Sequence, residues 1–270
     1  MDWLDALILG GLQGVTEFLP ISSSGHLVLV EEWLNLDIAT LKSFDVMLHM
    51  GTLLAIFIYF WKDIKEMILA LGRFFTGKLK FSEYPAKLIL FLIIGTIPAV
   101  ILGVFGDFLD ENFRNVKSIA ILMLAVAGVF MLAEYFYDKK PKKEEKVQTW
   151  KQALIIGLAQ AMALIPGVSR SGATISAGLF QGIERSGAAK FSFLLGIPAM
   201  IGAAILTGLK SSEGGAAIDA LPLVIGFISS FTFGILSVSF LMKFLKKYSL
   251  RTFAAYRVLL ALVLFWVYFL

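Results

Sequence analysis

Two short segments of this chain gather residue types that handle phosphate. The first, Pro20-Ile21-Ser22-Ser23-Ser24-Gly25, carries three hydroxyls and is followed at once by His26. If a short helix begins near Ser22, then Ser23 and His26 share a face, and the imidazole can act as general base toward the Ser23 hydroxyl. No acidic residue follows closely to orient His26, so a complete triad is not asserted, and a structurally hydrogen-bonded His26 is the alternative. The second segment, Pro166-Gly167-Val168-Ser169-Arg170-Ser171-Gly172, sets an arginine between two serines. A guanidinium fork suits phosphate oxygens, and the hydroxyls of Ser169 and Ser171 add donors. Each segment also places Ser and Gly where a helix should start: Ser22, Ser24 and Gly25 in one, Ser169, Ser171 and Gly172 in the other. Helix N-termini present free N–H groups with partial positive charge, so two of them facing one cavity make an anion site. Snorkelling of Arg170 toward water is the simpler alternative.

Upstream of the first segment, Gln13 and Glu17 are four apart and lie on one helical face. A carboxylate beside an amide oxygen, near phosphate, suits a divalent cation such as Mg²⁺ or Ca²⁺ bound mainly through substrate oxygens and water. Glu17 could instead transfer a proton, orient His26, or pair with Arg170 without any metal, and Gln13 could simply hydrogen-bond between helices.

The elements that carry these residues belong in a bilayer. Of 270 residues, 58% are hydrophobic and 16% charged, and the mean hydropathy is +0.83, too apolar for a soluble domain of this size. Without Cys there are no disulfides and no thiol chemistry. The opening MDWLDALILG lacks the basic region and cleavage site of a removed signal peptide, so the first hydrophobic segment is expected to stay. The net charge of +4 is not a nucleic-acid footprint, because the Lys and Arg residues sit in a few loops between apolar stretches.

Six stretches read as full spans: 44–61, 88–108, 118–137, 191–209, 221–242 and 252–270. Basic residues crowd the segments 62–87, 139–151 and 243–251, which the positive-inside rule makes cytoplasmic. The alternation then holds only if residues 152–183 enter and leave on one side, as a re-entrant hairpin broken at 166–172. By the same logic residues 3–34 form a hairpin from the opposite face, broken at 20–25. Irregular backbone at membrane depth is tolerated only in protein or around a cavity, so the breaks mark a cavity.

Sliding the chain by 147 positions, the distance from Trp3 to Trp150, also aligns Gly10 with Gly157, Gln13 with Gln160, Ser22 with Ser169, Gly25 with Gly172 and Phe44 with Phe191. Because one copy enters from each side, these are repeats of inverted topology: residues 1–137, then a basic loop 138–151, then residues 152–270. The expected fold is an all-α polytopic membrane protein of about six spans and two re-entrant hairpins. Other polar residues tempt less. Asp45 and His49 look interfacial, Arg257 looks like a snorkelling residue near the basic loop, and the run from Lys139 to Lys146 reads as a solvated loop near anionic lipid.

The segments Gln13-Gly-Val-Thr-Glu17-Phe-Leu-Pro-Ile-Ser-Ser-Ser-Gly25-His26 and Pro166-Gly-Val-Ser-Arg170-Ser-Gly172 resemble the two signature motifs of the bacterial undecaprenyl-diphosphate phosphatase family associated with bacitracin resistance. The likeness covers essentially the whole chain in length, span pattern and motif spacing. It implies an enzyme of the bacterial cytoplasmic (inner) membrane that removes the terminal phosphate of undecaprenyl diphosphate, giving the monophosphate carrier used for peptidoglycan and other envelope polymers. It implies a divalent-cation requirement and a site opening to the outer side, with a polyprenyl diphosphate and membrane lipid as partners, no nucleic acid, and a homodimer left open. Carried over by residue, the serine that attacks or contacts phosphate falls on Ser23, the essential histidine on His26, the arginine on Arg170 and the second acid of the Glu/Gln-x-x-x-Glu pattern on Glu17. Gln at position 13 leaves one carboxylate fewer for metal. The alternative function is a polyprenyl-phosphate or anion transporter, since inverted repeats with broken helices also make transporters.

Overall fold

The computed structural model describes residues 1–36, 41–75, 83–141, 143–211 and 219–269, and these form twelve helices with one isolated bridge and no strand. In chain order they are α1 (Trp3–Phe18), α2 (Ser23–Trp33), α3 (Lys42–Tyr59), α4 (Trp61–Phe75), α5 (Tyr84–Gly103), α6 (Gly106–Phe113), α7 (Val116–Asp138), α8 (Trp150–Met162), α9 (Arg170–Phe180), α10 (Arg185–Ser211), α11 (Ala220–Phe244) and α12 (Arg251–Phe269). Helices α5, α7, α10, α11 and α12 are each long and apolar enough to cross a bilayer. The protein is a multi-pass, all-α membrane protein.

The stretch 44–61 is not the straight span expected. It is α3, which stops at Tyr59, and the chain then turns by 79° into α4. The pair counts as a sixth span only if taken together. Nor is the segment after Trp61 a plain loop. In α4, Ile64, Met67, Ile68 and Leu71 recur at helical spacing, while Lys62, Asp63, Lys65 and Glu66 take the other positions. Such a helix favours a membrane interface over its core. Its start is tied to α10 by Lys190 Nζ, which lies 2.5 Å from Asp63 Oδ1.

Both expected hairpins are broken helix pairs, α1 with α2 and α8 with α9, and their local signals recur 147 positions apart. Asp2 caps α1 in a capping box with Asp5, and Thr149 caps α8 in one with Gln152. At the breaks Ser22 (φ 77°) and Ser169 (φ 77°) both adopt the left-handed region that L-residues avoid. Each then caps the second helix, Ser22 Oγ accepting from Gly25 N at 3.3 Å and Ser169 Oγ from Gly172 N at 3.2 Å. Strained backbone of this kind costs about 1–3 kcal/mol and persists where the surroundings enforce it.

Hydroxyls and small residues hold the bundle, as expected where lipid removes the hydrophobic drive between helices. On α11, Ser229 Oγ donates to Leu7 O (2.9 Å), Ser237 Oγ to Val15 O (2.8 Å) and Ser230 Oγ to Leu48 O, so one helix grips α1 and α3. Helix α8 packs correspondingly on α5, and α7 on α12. At one end of the bundle the buried Glu134 carboxylate accepts from Arg185 and, at 2.7 Å, from Leu250 N. The basic loops around it are less free than expected, because Glu144 N donates to Gly182 O (2.9 Å) and Glu184 N to Glu144 O (2.8 Å).

Candidate active site at the two breaks

The two breaks meet. Gly167 N donates to Ser24 Oγ at 3.4 Å, and Ser171 Oγ donates to Leu19 O at 3.3 Å, so each tip touches the other hairpin. Helix α7 runs behind both. A Cβ at Gly25 would stand 3.1 Å from Ile119 Cγ2 and 3.3 Å from Met123 Cε, and a Cβ at Gly172 would overlap the Phe130 ring. These two glycines therefore seat the short helices against α7, and their N–H groups are used by the serine caps. Gly25 and Gly172, expected to bind phosphate, have packing roles instead. The N–H groups free for an anion belong to the first residues of each short helix, Ser23 and Ser24 in α2 and Arg170 and Ser171 in α9.

At the junction one carboxylate organises the rest. Glu17, 7% exposed at the end of α1, accepts from Arg170 Nη2 at 2.9 Å on Oε1. Its Oε2 accepts from Ser23 Oγ at 2.8 Å and from Gln13 Nε2 at 3.1 Å. The imidazole Nε2 of His49 stands 3.8 Å from the same oxygen. Charge-assisted bonds of this kind are the strong ones, and a charge buried this deeply has to be paired. Arg170 does not snorkel: its second amino group reaches back to Ser192 O at 3.1 Å on α10. The Ser192 hydroxyl lies 2.6 Å from Thr174 Oγ1, which joins α10 to α9.

The expected Ser23–His26 couple does not form. His26 Nδ1 lies 2.7 Å from the Ser22 carbonyl, which can only accept, so that nitrogen carries the proton. In the neutral ring Nε2 then accepts from the Tyr256 hydroxyl, also at 2.7 Å, and the two rings stack. With both nitrogens engaged, His26 has no lone pair for Ser23. The base within reach of the Ser23 proton is Glu17. Three expected site residues, Gln13, Ser23 and Arg170, therefore cluster around the Glu17 carboxylate, while His26 supports the first tip from behind.

Sequence reasoning passed over three further contributors. His49 was read as interfacial, yet α3 carries it to Glu17, with Nδ1 bound to Asp45 O at 2.7 Å. Asp45 in turn holds Arg114 Nη2 at 2.8 Å, and Glu31 lies 3.4 Å from the same nitrogen. Burial opposes the Arg114 charge, but Asp45, Asp110 and Glu31 hold it more firmly protonated than an exposed arginine. Arg257 was read as snorkelling, yet it is wholly buried. Gly196 drew no notice. An ideal Cβ there would collide with the Arg170 guanidinium. A hint was in the repeat, because 147 positions before Gly196 stands His49: the copy that carries the arginine has no side chain there to block it.

These features define a class, a multi-pass helical membrane protein in which two broken helices meet with a serine, a carboxylate and an arginine at their junction. Comparison with known proteins gives the family. Residues 6–263 match the family model described as bacitracin resistance protein BacA, and the chain belongs to that family. It is 45% identical to an undecaprenyl-diphosphatase of Thermodesulfovibrio yellowstonii, over 98% of this chain and 96% of that one. It is 44% identical to an undecaprenyl-diphosphatase of Geotalea daltonii, over 96% and 95% of the two chains. An undecaprenyl-diphosphatase 3 of Bacillus cereus is 45% identical, over 95% and 93%.

Proposed function

We propose that this protein is an undecaprenyl-diphosphate phosphatase, hydrolysing the diphosphate to undecaprenyl phosphate and inorganic phosphate and so recycling the carrier lipid for peptidoglycan and other envelope polymers. The observation that carries this reading is the Glu17 carboxylate, bound at once to Ser23 Oγ and to Arg170. Nucleophile, base and phosphate-binding cation are thereby within one hydrogen-bonded cluster. The names of the relatives point to the same substrate.

The terminal phosphate docks on Arg170 and the first N–H groups of α2 and α9. Its charge draws the guanidinium off Glu17, and the carboxylate, relieved of its cation, becomes a better base for Ser23. The Ser23 oxygen bonds to the terminal phosphorus as the bond from phosphorus to the bridging oxygen breaks. Glu17 takes the Ser23 proton and passes it to the departing monophosphate. Water then attacks the phosphoserine, gives a proton to Glu17, and the proton returns to Ser23 Oγ as phosphate leaves. Positioning and electrostatic stabilisation supply most of the acceleration, as in phosphoryl transfer generally.

A divalent cation fits this site as a companion of the substrate. Among the described residues no three His, Cys, Asp or Glu side chains converge to hold a metal alone. Yet Gln13 Oε1 is buried beside Glu17 with no hydrogen-bond partner. Glu17 and Gln13 would hold Mg²⁺ or Ca²⁺, with diphosphate oxygens and water completing its coordination. When bound, the cation would neutralise charge on the diphosphate.

The enzyme resides in the bacterial cytoplasmic membrane with the site opening to the outer side. This orientation is supported by the basic residues gathered at the end of the bundle around Glu134, by the positive-inside rule. Purified protein in detergent micelles, given undecaprenyl diphosphate or a short-chain prenyl diphosphate, should release phosphate. Acid-quenched single turnovers should trap phosphate on Ser23. Absence of phosphate release overturns the activity, and release without a phosphoprotein assigns the attack to water.

A further inference from the structure

Consecutive residues of α12 hold the two tips. Tyr256 donates its hydroxyl to His26 Nε2 at 2.7 Å, behind the first break. Arg257 donates from Nη2 to the Gly167 carbonyl at 2.7 Å, in the second break. Gly167 is also the residue whose N–H reaches Ser24 on the first tip, and its φ of 98° belongs to the left-handed region. One residue thus takes part in the contact between the hairpins on one side and receives a charged donor on the other.

Arg257 is an expensive residue to place there. It is wholly buried, its other hydrogen bonds are to Met123 O and Leu122 O at 3.3 Å, and Nη1 has no partner. No carboxylate neutralises it among the described residues, and its guanidinium lies 5.6 Å from the Phe130 ring. That ring is the one packed against Gly172, in the first turn of the helix that begins with Arg170. A buried cation without a counter-ion destabilises a membrane protein unless it does something specific. A bundle that only needed filling would use an apolar side chain.

We propose that Tyr256 and Arg257 are positioning residues for phosphoryl transfer: together they set the register of the two hairpin tips, and hence the distance between Ser23 on one and Arg170 on the other. This rests on the phosphatase reading above. Neither residue touches the diphosphate. Tyr256 acts through His26 and Ser22 on the turn that presents Ser23. Arg257 acts through Gly167, and through Phe130 on the start of α9. Because the two sit side by side on a helix that packs against α7, a shift of α12 moves both tips.

The test compares Tyr256→Phe, Arg257→Lys and Arg257→Gln with the natural protein, using short-chain prenyl diphosphate in micelles. Tyr268→Phe, an exposed ring on the same helix, is the control. Tyr256→Phe and Arg257→Lys should each lower kcat roughly tenfold or more with KM changed little, since misplaced reacting groups cost turnover before binding. Both should unfold within a few degrees of the natural protein. Arg257→Gln is the variant most exposed to misfolding, so the other two carry the result. A second readout uses the two histidines of the chain: in ¹⁵N spectra Tyr256→Phe should move the Nε2 resonance of one imidazole and leave the other in place. Natural turnover in either variant, a loss confined to KM, a loss that follows the unfolding midpoint, or an unmoved imidazole resonance overturns the proposal. Absence of activity in the natural protein instead overturns the phosphatase reading.

Discussion

Arg170 and Glu17, 153 positions apart in the chain, are joined by a hydrogen-bonded ion pair of 2.9 Å at the meeting of the two hairpin tips. One partner ends the first half-helix of one hairpin and the other begins the second half-helix of its counterpart. The pair is a structural bond between the halves and, in the proposed mechanism, the seat of the chemistry.

Replacing Arg170 therefore has two effects. Arg170→Ala leaves a buried carboxylate uncompensated, and breaking such a pair costs about 3–5 kcal/mol. Arg170→Lys keeps the charge but loses the fork that reaches both Glu17 and Ser192. Turnover should fall about 10³-fold in the first and about 10²-fold in the second. Thermal unfolding in detergent should show a marked loss only for Ala.

At saturating Mg²⁺, Glu17→Gln separates base from binding. The amide keeps the shape and can still meet Ser23 and Gln13, but it cannot take a proton, so kcat should drop by about 10²–10⁴. Arg170, no longer neutralised, remains free for the diphosphate, and KM should hold or decrease. Steady-state phosphate release across a range of substrate concentrations checks both signs.

Gly196→Ala tests the space that Arg170 occupies. The added methyl group pushes the guanidinium off α10, and a displacement of about 1 Å can cost about 100-fold in rate. Gly202, on the same helix, has no atom within 4 Å of its ideal Cβ. Gly202→Ala should keep full activity and gain up to about 1 kcal/mol from better helix propensity. Rates and unfolding midpoints of the two variants should diverge accordingly.

Removing divalent cations with a chelator should abolish turnover, and Mg²⁺ or Ca²⁺ should restore it. Gln13→Glu supplies a second carboxylate beside Glu17 and should lower the cation concentration needed for half-maximal activity. Gln13→Ala should raise it. A cation titration of the three proteins measures the order.

The breaks were legible in the sequence because their signals are local: Pro, Gly and Ser interrupt an apolar run, and the repeat places both interruptions at one offset. Their meeting followed from the expectation, drawn from parity, of two hairpins dipping from opposite faces. What escaped depends on backbone partners or on distant chain. Arg257 bonds to carbonyls, which no residue type announces, and Tyr256 reaches His26 across 230 positions. His49, alone in a helix, carries no spacing that marks it. The α4 helix is a different case. Its apolar residues at 64, 67, 68 and 71 have helical period, and counting charge before period turned a helix into a loop.

Tyr256 and Arg257 lie in α12, so both tips are synthesised before the side chains that contact them exist. A nascent chain halted before α12 would carry both Ser-rich breaks and lack both contacts. On the proposed reading, alignment of the two tips waits on the docking of α12.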